Sequence, residues 1–221
     1  MIKKLLIIAT LVAGLISNQA KAEFIQTDWK VAGDSQATLQ VSTGLEWLDL
    51  YYTRGWSINQ ASNALSTSLS GWRLATQSEV TALWEEILGV KLGSTRQMVA
   101  TTNKVELNYL GRHSAFGYLY TSGRFVGDNG VVRDAGALLT SGGRLEYYHL
   151  WNSGLTMSNS TQVQGIYLVS DGGTTLSSIN DPKLNINNPN APINMADVSA
   201  PAGLAAAGVL MLMLGARRKV A

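Results

Sequence analysis

Two uncharged apolar runs, one at each extremity, enclose a polar middle with no cysteine at all. That arrangement restricts the chain more than any other feature. With no disulfide to staple it, the middle must fold around a hydrophobic core, and about 150 residues is ample for one domain of that kind. The front end has Lys3-Lys4, an apolar stretch from Leu5 to Ile16, and Ala20-Lys21-Ala22. A basic start, a short apolar centre and a small-x-small site predict a secretory signal peptide over residues 1–22, cleaved after Ala22. The far end has the run Ala202–Ala216, then Arg217-Arg218-Lys219. With Val198, Ser199, Ala200 and Pro201 it nears the lower limit of about 17 residues for a membrane helix, and the basic cluster should stay cytoplasmic.

Setting both ends aside changes the electrostatics. The whole chain carries +2, yet residues 23–200 contain 11 basic and 15 acidic residues, a net of −4. The apparent basicity belongs to the ends, so it does not argue for nucleic-acid binding, which needs a basic patch on the folded surface.

The tail over residues 198–221 resembles the PEP-CTERM signal read by exosortases, the membrane transpeptidases of Gram-negative bacteria, with Val198-Ser199-Ala200-Pro201 where that family usually has Pro-Glu-Pro. The resemblance implies a protein handled by signal peptidase, the general secretion machinery and an exosortase. Such a protein is held briefly in the inner membrane by its C-terminal helix, then passes to the cell surface or extracellular matrix. Before the tail, residues 171–197 are rich in Asn, Ser, Gly and Pro and contain no aromatic residue. That composition predicts a flexible linker, with a peripheral strand around Leu184–Ile186 as the alternative.

The remaining span, 23–170, is expected to be an α+β domain. Ser57 precedes Ile58, Ala61, Leu65 and Leu69 at helical spacing. Thr76-Gln77-Ser78-Glu79 is a capping box, followed by Val80, Leu83, Trp84, Ile87 and Leu88 on one face and by Gly89 as the stop. Elsewhere short strands alternate with turns: Thr38–Val41 and Leu45–Leu50 around Ser42-Thr43-Gly44; Arg124–Val126 and Val131–Arg133 around Gly127-Asp128-Asn129-Gly130; then Leu145–Trp151 and Ile166–Ser170. Two early helices beside many short strands predict a twisted antiparallel sheet with the helices packed on it.

Thr43-Gly44-Leu45-Glu46-Trp47-Leu48, followed by a helix and by Gly71-Trp72-Arg73-Leu74-Ala75-Thr76 leading to Glu79, resembles the Lcl C-terminal-like domain over roughly residues 36–170. Ala75 stands where that family usually has Pro, and Gly165–Val169 stands where its closing strand falls. The resemblance implies a fold akin to C-type lectins and formylglycine-generating enzymes. On physical grounds Trp47 and Trp72 should anchor the core. Arg73, set among apolar residues, should pair with Glu46, Asp49 or Glu79, because a buried charge without a partner is costly.

Little in the chain points to catalysis. Cysteine chemistry is absent, and His113 and His149 are far apart in sequence. No Gly-x-Ser-x-Gly elbow is present. Glu85 and Glu86 read as a solvated helix face. Calcium is the cofactor to weigh, because oxygen-rich loops suit it: Asp128, Asn129 and Asp134 lie close together, and Trp151-Asn152-Ser153 resembles the Trp-Asn-Asp element of sugar-binding C-type lectins. Exposed aromatics among Tyr51, Tyr52, Trp56, Tyr118, Tyr120, Tyr147, Tyr148 and Trp151 could stack on sugars. The expectation is a non-enzymatic surface or matrix protein engaged in adhesion or contact with exopolysaccharide. The alternatives are a calcium-assisted lectin using Trp151 and Asn152, and an enzyme of unrecognised mechanism.

Overall fold

The strand and helix signals resolve into a sheet-rich α+β fold with few helices in the computed structural model, which describes residues 24–93, 98–101, 108–115, 118–139, 145–152, 154–181 and 184. The signal cleavage residues Ala20 and Ala22, the sorting residues of 198–221 and Ser153 lie outside these. Among the described residues no helix is long and apolar enough to cross a membrane.

Two sheets form where one was expected. The first begins as a meander of β1 (Phe24–Thr27), β2 (Ala37–Gln40) and β3 (Leu45–Leu48), joined by β11 (Leu168–Ser170) and β4 (Arg73–Leu74) in the order β1-β2-β3-β11-β4. The second uses β5 (Met98–Thr101), β7 (Tyr118–Val126), β8 (Val132–Leu139), β9 (Leu145–Trp151) and β10 (Gly165–Ile166) in the order β10-β7-β8-β9-β5, with β6 (His113–Ala115) also on β7. The single parallel pairing among the described residues is β10 on β7, so the second sheet is mixed. Residues 165–170 stitch the sheets together. Gly165 and Ile166 pair with β7, Tyr167 N–H donates to the Arg124 carbonyl at 3.0 Å, and Leu168 and Val169 pair with β4. The backbone comes so close here that a Cβ on Gly165 would stand 2.0 Å from the Leu50 carbonyl oxygen.

Period-2 alternation explains why the first sheet is covered on both sides. Trp47, Tyr167 and Val169 turn into one apolar cluster; Leu48, Ile166 and Leu168 turn into another. Helix α1 (Ile58–Ala64) lies on the second cluster through Ile58 and Ala61. Helix α2 (Gln77–Leu88) seals the first through Val80, Leu83, Trp84 and Ile87, where it also meets Phe125, Ala135, Ala137 and Tyr147 of the second sheet. Trp84 Nε1–H donates to the Tyr167 hydroxyl at 2.8 Å, which donates to the Ala135 carbonyl at 3.0 Å. That thread satisfies both polar atoms within the core. Trp47 and Trp72 are 1% and 4% exposed, one in each cluster, as anchors of the core should be.

Both helix starts are capping boxes. Thr76 and Glu79 form one, as their spacing predicts; Ser57 and Gln60 form the other. Gly89 ends α2 at φ +66°. Helix α1 stops at Ala64, short of Leu69, where Thr67 N–H and its hydroxyl both turn back to the Ala64 carbonyl. Ser and Thr side chains compete with helical backbone bonds in this way. Leu69 is nevertheless fully buried, delivered by the turn instead of the helix.

The composition boundary at Ser170 is too early. Helix α3 (Leu176–Asn180) follows, capped by Thr175 and held to Asp28 and Trp29 by backbone bonds from Ser177 and Leu176. Apolar periodicity could not reveal this, because hydrogen bonds hold the segment in place.

Candidate functional site

The motif Thr43–Leu48 builds a turn and then a polar lock. Gly44 adopts φ +71°, and its N–H reaches the Gln40 carbonyl at 2.8 Å, closing the β2–β3 hairpin. Leu45 opens β3, partly buried against the first cluster. Glu46 is completely buried, and its carboxylate accepts from Thr174 N–H (2.9 Å), Thr175 N–H (3.3 Å) and the Thr175 hydroxyl (2.6 Å). It therefore fastens the α3 segment and does not meet Arg73. Trp47 Nε1–H donates to Gln40 Oε1 at 2.9 Å, and Gln40 Nε2 in turn donates to Glu86.

Gly71 turns at φ +89° beneath Thr174, whose hydroxyl donates to the Gly71 carbonyl at 3.1 Å. Arg73 pairs bidentately with Glu79 at 2.7 and 2.9 Å and with Asp171 at 2.6 Å. Of the three partners expected, Glu79 is the one used; Asp171 is an additional partner, and the Arg73 side chain is 37% exposed, not enclosed. Its hydrogen bonds hold the Glu79 carboxyl down at about 2. Thr76 shares that carboxylate through its N–H and hydroxyl. The motif residues thus tie α2, β4 and the chain after β11 into one polar cluster.

Asp49, the third expected partner, lies elsewhere. Its carboxyl packs over Gly111, where a Cβ would fall 1.5 Å from Oδ1, and accepts Tyr51 N–H at 2.7 Å. Burial raises its pKa to about 6 against the opposing pull of that amide. Glu85 and Glu86 diverge: Glu85 binds Lys91 at 2.7 Å, and Glu86 accepts from Ser42 at 2.7 Å as well as from Gln40.

The oxygen-rich loop does not converge on a point. Asp128 is exposed and exchanges hydrogen bonds with the Gln77 side chain; Asn129 accepts Val131 N–H at 3.2 Å within the turn. Asp134 is 3% exposed inside β8, in register with Arg124 on one side and Trp151 on the other. No group of three or more His, Asp or Glu residues able to hold a metal ion occurs among the described residues. Trp151 is half-buried at the end of β9. Exposed Asn152 directs Oδ1 at Gly154 N–H, 3.0 Å away, so its side chain closes a local turn.

His149 is fully buried. The Thr81 hydroxyl donates to the Gln77 carbonyl at 2.8 Å, so in the 3.3 Å Thr81–His149 contact the ring Nε2–H donates. Burial holds the imidazole pKa below its usual range. Tyr147 and Tyr148 take opposite faces of β9 as alternation requires, but neither is a platform. Tyr147 packs on Trp84 with ring centroids 4.8 Å apart, and burial raises the Tyr148 hydroxyl pKa against the opposing pull of hydrogen bonds with Ser122 and Gln164.

The aromatic surface gathers around Leu50–Trp56. Tyr51 is 54% exposed with the Arg54 guanidinium 4.6 Å over its ring. Tyr52 and Trp56 are half-buried neighbours, and Tyr52 meets Trp29 edge-on at 4.7 Å. Lys30 Nζ stands 3.9 Å above Trp29. Trp29 and Lys30 escape sequence reasoning because no pattern links them to residues 51–56. The one available hint is Gly33-Asp34: the Asp34 carboxylate accepts N–H groups from Trp29, Lys30 and Val31 and so shapes the loop that presents them. Neither a protein-family model, nor a curated protein, nor a solved structure matches this chain.

Proposed function

We propose that this chain is an exported, non-enzymatic α+β domain, processed by an exosortase and displayed at the cell surface or in the extracellular matrix, where it contacts polysaccharide. The pattern over residues 198–221 carries this reading: a short motif, an uncharged apolar run and three consecutive cations. Three interior polar groups that could have served chemistry are instead engaged within the fold. Glu46 holds Thr174 and Thr175, Glu79 holds Arg73, and His149 is tied to Thr81. The Thr43–Trp47 and Gly71–Glu79 sequence motifs support reading the domain as Lcl C-terminal-like.

Export and processing are tested by expressing the full chain with and without an exosortase in a Gram-negative host. The reading expects loss of the C-terminal helix and release from the inner membrane only when the exosortase is present. Identical membrane retention in both hosts refutes it.

A further inference from the structure

The loop Trp29–Asp34 and the turn Tyr51–Trp56 each set a cation over aromatic rings. The Lys30 ammonium lies over Trp29 at 3.9 Å and Tyr52 at 5.5 Å and donates to the Ser68 carbonyl at 3.0 Å; Arg54 lies over Tyr51. Neither cation forms an ion pair among the described residues. Acids are close by, yet backbone amides take them up. Asp34 accepts N–H groups from Trp29, Lys30, Val31 and Gln36, and Asp28 accepts them from Gly33 and Ser35. Those amides hold the Asp34 carboxyl below its usual pKa, against a counteracting contribution from burial, so it stays charged and is occupied with shaping its loop.

The turn is also rigid before any ligand arrives. Arg124, buried beneath it, donates to the Trp56 carbonyl at 2.5 Å and the Asn159 carbonyl at 2.7 Å. Thr53 accepts Ile166 N–H at 2.8 Å, and Gly55 N–H reaches the Gln164 carbonyl at 3.3 Å. A surface fixed in advance loses little conformational freedom on binding.

Resting on the polysaccharide reading above, we infer that this surface binds a carboxylate-bearing polysaccharide, the rings of Tyr51, Tyr52 and Trp56 lying against sugar C–H faces while Lys30 and Arg54 pair with uronate groups. Charge complementarity selects this occupant: two cations without carboxylate partners among the described residues border the aromatic surface. With a charge of −4 over residues 23–200, the long-range field opposes a polyanion, so binding rests on these local pairs.

The test uses the full chain reconstituted in detergent-free phosphatidylcholine nanodiscs against three probes: alginate, neutral dextran, and vesicles containing phosphatidylglycerol. Binding to alginate is expected, weakening with salt, with Lys30→Gln and Arg54→Gln each lowering affinity roughly threefold to fivefold, the size of an exposed ion pair. Tyr51→Ser, which touches no core, should weaken it as well. Near-ultraviolet circular dichroism verifies that each variant folds. Equal binding to dextran, indifference to the three substitutions, absence of alginate binding, or capture by vesicles alone would each overturn the inference. Exosortase processing is read separately, so failure on alginate leaves the display proposal standing.

Discussion

Replacing Asp49 by Asn should stabilise this protein at neutral pH and do nothing at low pH. The folded carboxyl titrates at about 6, against 3.8 when free, because burial over Gly111 penalises the charge more than the Tyr51 amide rewards it. The difference, 6 less 3.8, is about 2.2, and at 1.36 kcal/mol per pKa unit it sets a ceiling of about 3 kcal/mol on the cost of keeping Asp49 ionised in the fold. Asp49 is half-buried, so solvent screening reduces the expected effect to roughly 1–2 kcal/mol. The sign follows from linkage: a carboxyl with a raised folded pKa favours the fold below its unfolded pKa, and that advantage disappears as pH rises through the folded value. Wild-type stability should therefore fall between about pH 4 and pH 6 through this group and then level off. The amide introduced by Asp49→Asn keeps an acceptor for Tyr51 N–H and the same shape above Gly111, but has no proton to lose. Urea denaturation followed by tryptophan fluorescence from about pH 3.5 to about pH 8 measures both proteins. A stability gap near zero at the acid end that opens in favour of Asp49→Asn by neutral pH supports the reasoning. A gap independent of pH, or a variant less stable at neutral pH, refutes it.

Two further substitutions probe the junctions of the fold. Glu46→Leu leaves Thr174 N–H, Thr175 N–H and the Thr175 hydroxyl without their acceptor; hydrogen exchange at residues 174–180 should accelerate strongly, with a global loss of about 2–4 kcal/mol, and unchanged protection there would show that α3 is held by other means. Gly165→Ala drives a methyl group against the Leu50 carbonyl oxygen; chemical denaturation should report a loss of roughly 2–3 kcal/mol from overpacking, and a neutral result would mean that the stitch between the sheets is not tightly packed.

Elements whose cause lies within a few residues could be read from the chain directly. Thr76 and Glu79 are three positions apart, and Val80, Leu83, Trp84 and Ile87 follow at helical spacing, so α2 and its buried face were legible before any partner was known. The same holds for the Gly127–Gly130 turn and for β9, whose boundaries coincide with the expected Leu145–Trp151. The division of Tyr147 and Tyr148 between two faces also follows from strand geometry. What lay behind each face did not follow: both faces turned out to be covered, so neither ring became a sugar platform.

The sequence alone determined an α+β domain without disulfides, two capped helices, the main turns, and Trp47 and Trp72 as anchors, because such features arise from neighbours along the chain. Only the tertiary structure decided that Glu46 would fasten Thr174 and Thr175, that Arg73 would take Asp171 as well as Glu79, and that Lys30 and Trp29 would stand beside Tyr52. Those partners lie far apart in the chain. Local propensity assigns a side chain to a face, but only chain closure between two sheets determines which distant atom completes its hydrogen bond or lies against its ring.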